Sequence, residues 1–172
     1  MIGKAIKSLS LAAVCALLVS ACGPTGMISL SRGANPYFED AMDAQKHGRL
    51  SEAVENYSKY IEYNRNYPDI LGPAYYNRAN VYSSMKEYDK ALADYSQAIH
   101  SGGKDLWIYY MERGVCYYDI RQPDLAIADF DQVLAQNPDY GPAYYFRAQC
   151  WKLKDDPEKA LADLENAKKF KK

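Results

Sequence analysis

Residues able to do chemistry are few in this chain, and their spacing speaks against catalysis. Of 172 residues only two are histidines, His47 and His100. Neither sits in an HxxH or HExxH pair, the spacing that brings two imidazoles to one metal. No glycine-rich phosphate loop and no GxSxG turn occurs. Cys116 and Cys150 have no histidine placed to activate them as nucleophiles. The sequence therefore reads as a non-enzyme with no cofactor and no metal site. What does recur is charge: Arg78, Arg113 and Arg147, together with Asp94, Asp129 and Asp163.

Residues that recur need elements that recur. "GPAYYNRA" at Gly72 to Ala79 returns as "GPAYYFRA" at Gly141 to Ala148, a separation of 69 residues. Ala53, Ala91, Ala126 and Ala160 mark a second phrase at intervals of 38, 35 and 34 residues. Each marker opens an apolar stripe at helical spacing, such as Tyr88, Ala91, Leu92, Tyr95, Ala98 and Ile99, or Ala126, Ile127, Phe130, Val133 and Leu134. A second stripe precedes it: Tyr75, Ala79, Tyr82; Tyr110, Gly114, Tyr117; Tyr144, Ala148, Trp151. The spacing predicts two amphipathic helices per unit of about 34 residues, with most of the 17 tyrosines in the core. Proline agrees: Asn35-Pro36, Gly72-Pro73 and Gly141-Pro142 place it in a first turn, and Asn137-Pro138 ends a unit. Ser51, Asp89, Asp124 and Asp156 stand near the starts of second helices as cap candidates.

This pattern resembles the tetratricopeptide repeat family. The resemblance covers Ala34 to about Phe170. It rests on the small residue of the first helix (Ala41, Ala79, Gly114, Ala148), on the marker alanines, and on the large position Tyr57, Tyr95, Phe130 and Leu164. It implies an all-α, four-repeat solenoid of antiparallel helix pairs, with repeats at 34–67, 72–105, 107–140 and 141–172. In that frame Arg78, Arg113 and Arg147 share one phase of the first helix, and Asp94, Asp129 and Asp163 share one of the second. The first unit has Asp40 and Asn56 there. Joint presence and joint absence predict structural pairs within units, with a row of anion-binding arginines as the alternative. Cys116 and Cys150 also share a phase. Neighbouring packed helices lie roughly 8–10 Å apart, while a disulfide needs Cα atoms within about 7 Å, so two free buried thiols are expected.

The family's groove for peptides implies a site as well. Its phases hold Phe38, Met42 and Gln45; Tyr76, Asn80 and Ser83; Met111, Val115 and Tyr118; Tyr145, Gln149 and Lys152. This set departs from the Lys/Asn/Arg clamp by which some members grip a terminal carboxylate. It suits an extended or helical segment with apolar anchors.

The N-terminus adds an address. Lys4 and Lys7 precede an apolar run, Leu9 to Val19, too short to span a membrane, then Ser20, Ala21 and Cys22, in outline a secretory signal. "VSAC" resembles a bacterial lipobox, which implies cleavage after residue 21, lipid attachment at Cys22 and a linker to residue 33. Acyl chains would then hold the protein to a membrane. Gly23 after the cysteine leans towards the outer membrane, facing the periplasm. The processed chain carries 19 basic against 22 acidic residues, a balance that gives no sign of nucleic-acid binding. The expected function is a protein–protein adaptor for a peptide or protein client in envelope, pilus or secretion-machine assembly. A structural homo-oligomer and an accessory subunit of a cell-wall enzyme are the alternatives.

Overall fold

Proline opens five of the helices among the described residues, where its missing N–H falls on a position with no helical acceptor. The structure is a computed structural model that describes residues 36–103 and 106–170. The first pair is α1 (Pro36–Lys46) and α2 (Leu50–Tyr63). The second is α3 (Gly72–Ser84) and α4 (Tyr88–Ser101), reached through a 3-10 turn at Pro68–Ile70. The third is α5 (Leu106–Asp119) and α6 (Pro123–Gln136), and the last is α7 (Gly141–Leu153) and α8 (Pro157–Lys169). All of them fall in one unit, Tyr37–Lys172, apart from Pro36. Cys22 and the signal region lie outside the described residues.

Each pair turns on the same device. Gly48, Lys86, Arg121 and Asp155 all take positive φ, between 58° and 71°. The next N–H then reaches back over the turn: Arg49 to Ala44 O (2.9 Å), Glu87 to Tyr82 O (2.9 Å), Gln122 to Tyr117 O (2.9 Å) and Asp156 to Trp151 O (3.0 Å). This is the Schellman arrangement, which satisfies carbonyls that the ending helix leaves open. Only the first unit uses glycine for it. Second helices then start from Arg49, Glu87 and Gln122, which make no side-chain cap bond. Ser51, Asp89 and Asp124 lie inside the first turn and do not cap. Asp156 does, accepting from the Lys159 N–H at 3.2 Å.

Small residues let the paired helices approach. Ala41, Ala79, Ala148 and the markers Ala53, Ala91 and Ala126 are fully buried, and Ala160 nearly so. At Gly114 a Cβ would meet the Phe130 ring at 2.8 Å, so α5 lies closer to α6 than an alanine permits. Units join through α2 with α3, α4 with α5 and α6 with α7. Val81, Cys116 and Cys150 share one phase, and each is buried. Val81 joins the cluster of Ala53 and Tyr57, and Cys116 that of Ala91 and Tyr95, in each case the unit before its own. Both cysteines are free, and burial pushes their thiols up to about 11 and about 12.

A candidate protein-binding face and an arginine ladder

The arginines stand on first helices and point at second helices. Arg78 donates from Nε and Nη2 to the two oxygens of Asp94, at 2.7 and 2.8 Å. Arg113 grips Asp129 in the same way at 2.9 and 2.7 Å, and Arg147 grips Asp163 at 2.8 and 2.7 Å. The three aspartates are 4–6% exposed. A planar guanidinium fits this two-point geometry and a lysine would not.

The third donor, Nη1, leaves the unit. It reaches Ser58 Oγ from Arg78 (2.8 Å), Ser96 Oγ from Arg113 (3.1 Å) and Asp131 Oδ1 from Arg147 (2.5 Å). Those acceptors sit at one phase of the preceding second helix, so each arginine ties its own pair together and also fastens it to the pair before. Tyrosines flank the charge: Tyr75 and Tyr82 lie 5.7 and 5.9 Å from the Arg78 carbon, Tyr110 and Tyr117 lie 5.6 and 5.9 Å from that of Arg113, and Tyr144 lies 5.4 Å from that of Arg147. These tyrosines are half-buried. They clasp guanidiniums and at the same time pack against the buried clusters, so they border the core instead of filling its centre. Tyr57, Tyr60 and Tyr95 are the buried ones.

The other face of the first helices carries the residues expected to bind a client. Met42 and Tyr145 are about half exposed, at 51% and 49%. Phe38 lies 5.7 and 5.1 Å from the Tyr57 and Tyr60 rings. Tyr76 packs between Tyr95 (6.2 Å) and Tyr109 (5.1 Å). Tyr118 and Tyr145 both meet Phe146 edge-on, at 6.0 and 5.6 Å. Gln149 is half-buried. Met111 is a correction: at 6% exposure it belongs to the core cluster with Ile127 and Phe130, and its flexible apolar chain suits that packing.

Amides on this face partly serve the fold. The Tyr57 hydroxyl donates to Gln45 Oε1 at 2.8 Å, and the Tyr95 hydroxyl donates to Asn80 Oδ1 at 2.7 Å. Burial pushes the Tyr57 phenol up to about 12 and raises that of Tyr95 as well. Beside Tyr145 a hollow of about 510 Å³ opens between α7 and α8, lined by Gly141, Pro142, Leu164, Lys168 and Phe170 among others.

Helix pairs stacked in sequence, with small residues at each crossing, define a repeat solenoid. Two family models described as tetratricopeptide repeat match residues 72–100 and 117–170, and the chain belongs to that family. It is similar to the photosystem I assembly protein Ycf3 of Synechococcus sp. (strain WH7803), 29% identical over 130 residues, or 70% of this chain and 75% of that one. It is 35% identical over 93 residues to Hsc70-interacting protein 1 of Drosophila melanogaster, covering 54% of this chain and 24% of that one. MamA 41-end from Desulfovibrio magneticus RS-1 shares the fold, with a TM-score of 0.74 at 17% identity over 83% of this chain and 77% of that one. Fold and relatives together support a protein–protein interaction scaffold.

Proposed function

We propose that this chain is a non-enzymatic adaptor, held to a bacterial membrane through lipid on Cys22 and facing the periplasm, most simply at the outer membrane. It takes a peptide segment or partner protein on the face of Phe38, Met42, Tyr76, Asn80, Tyr118, Tyr145 and Gln149, in the service of envelope, pilus or secretion-machine assembly. The observation that carries the binding half of this reading is the exposure of Met42 and Tyr145 on the first-helix face, where large apolar groups stand half in solvent. The anchoring half rests on the residues around Cys22. Anchoring fixes location and raises the local concentration of a client.

Two measurements test the two halves. Expressed in a Gram-negative host, the chain is expected in the detergent phase of a membrane extract, and Cys22→Ser in the soluble phase. A wild-type chain that stays soluble ends the anchoring claim. A photo-crosslinker at Tyr145, used in native membranes, is expected to capture one dominant partner that a crosslinker at exposed Glu165 does not. Equal capture from both sites removes the face from the account. The apolar hollow beside Tyr145 supports a second reading, a structural homo-oligomer, and light scattering that finds only monomers would rule it out.

A further inference from the structure

One half-buried carboxylate has no hydrogen-bond or ion-pair partner among the described residues. Asp94, Asp129 and Asp163 are buried, and each meets an arginine. Glu112, on α5, is half-buried too, yet no hydrogen bond or ion pair joins its carboxylate to any described residue. Burial alone acts on it and raises its pKa. Glu112 stands one turn along α5 from Tyr109, whose ring packs on Tyr76 at 5.1 Å, and one turn from Cys116, which is buried in the cluster of Tyr95; after burial, its charge also raises the phenols of Tyr76 and Tyr95. Tyr95 is the phenol held by Asn80, and Tyr76 packs on Tyr109. A negative charge with no cation on it among the described residues thus sits where the second and third units meet, near aromatic rings and an amide. The one cation at the client-facing phases is Lys152, in the fourth unit.

We propose that the client's anchor is a basic side chain, a lysine or arginine flanked by apolar residues, whose charge is received by Glu112 against Tyr76 and Tyr109. This rests on the reading that the first-helix face binds a peptide, and it gives that peptide a sign. Folding has already stripped much of the water from Glu112, so an incoming ammonium or guanidinium recovers the lost solvation instead of adding to it. The rings next to it supply the faces that attract a cation. A carboxylate-ended peptide would meet repulsion at the same point, which separates this face from the family's basic clamp.

The test uses the full-length chain in detergent and three fluorescent nonapeptides of alternating leucine and serine that differ only at the centre: lysine, glutamine or glutamate. Fluorescence anisotropy is expected to rank lysine about tenfold tighter than glutamine, with glutamate weakest. In Glu112→Gln the lysine peptide should fall to the level of the glutamine peptide, while the latter changes by less than about twofold. Circular dichroism checks that the variant is folded. Binding with no dependence on the central charge, or a preference that survives Glu112→Gln, overturns the inference and leaves the peptide-binding reading standing. Failure of all three peptides to bind overturns both.

Discussion

A guanidinium between two carboxylates or hydroxyls and two rings is costly to disturb from either side. Arg78 and Asp94 have side chains only 17% and 8% exposed, so solvent screens their attraction little. Arg78→Leu leaves Asp94 buried and unpaired, and Asp94→Leu does the same to Arg78. Each single change is expected to cost about 3–5 kcal/mol, and the double change much less than their sum. Urea unfolding of the three variants gives these values; additive losses would deny the coupling. Glu112 behaves in the opposite sense. Its folded-state carboxyl is raised above the unfolded value near 4.3, so the folded chain holds the proton more tightly and its stability falls as pH rises through that range. After burial, its charge raises the phenols of Tyr76 and Tyr95. Glu112→Gln is therefore expected to stabilise the chain at pH 7 and to lose that advantage on acidification towards about pH 4, as thermal melts across pH would show. A variant less stable than wild type at neutral pH would mean that Glu112 has a partner in the fold.

Among the elements, the turns within units show what could and could not be read beforehand. The intervals of the marker alanines were enough to place eight helices, because packing small against large repeats along the chain. Gly48 advertises its left-handed turn and Asp155 does so faintly, because aspartate tolerates that region; Lys86 and Arg121 do not, since nothing in their side chains asks for positive φ. The same limit hid Ser58, Ser96 and Asp131: they share a phase, but only the geometry of the joint shows that an arginine arrives there. Met111 marks a related limit, since helical phase gives a direction and not a depth of burial. L-residues held in the left-handed region carry strain of roughly 1–2 kcal/mol, of which a glycine gives part back as unfolded-state entropy. Arg121 is exposed, so Arg121→Gly is expected to stabilise by about 0.5–1 kcal/mol in chemical denaturation. A destabilised variant would show that the arginine makes a contact outweighing its backbone strain.

At the level of the stack, every joint described has the same three parts: an apolar residue at the phase of Val81, a small residue beneath a ring, and an arginine reaching back. Neighbour-only contacts of this kind make stability a sum over units and joints. Deleting residues 87–121, one period of 35 residues, would set α3 against α6 and bring Arg78 opposite Asp129. The shortened chain is expected to remain helical and to melt cooperatively at a lower temperature, as far-UV circular dichroism would report. A product without helical signal would show that the joints are not equivalent.

The first pair lacks the arginine clasp, having Asp40 and Asn56 where later pairs have arginine and aspartate; Tyr57 to Gln45 is the hydrogen bond between its helices described above, and Ser58 and the Val81 cluster join it to the next pair. Thermal opening should therefore begin at that end, and amide protons of α1 should exchange with deuterium well before those of α5. If lipid holds the chain near Cys22, the segment next to the membrane is also the most readily unravelled. Such a segment would act as a compliant leash that gives way under tension while the later pairs keep their cargo.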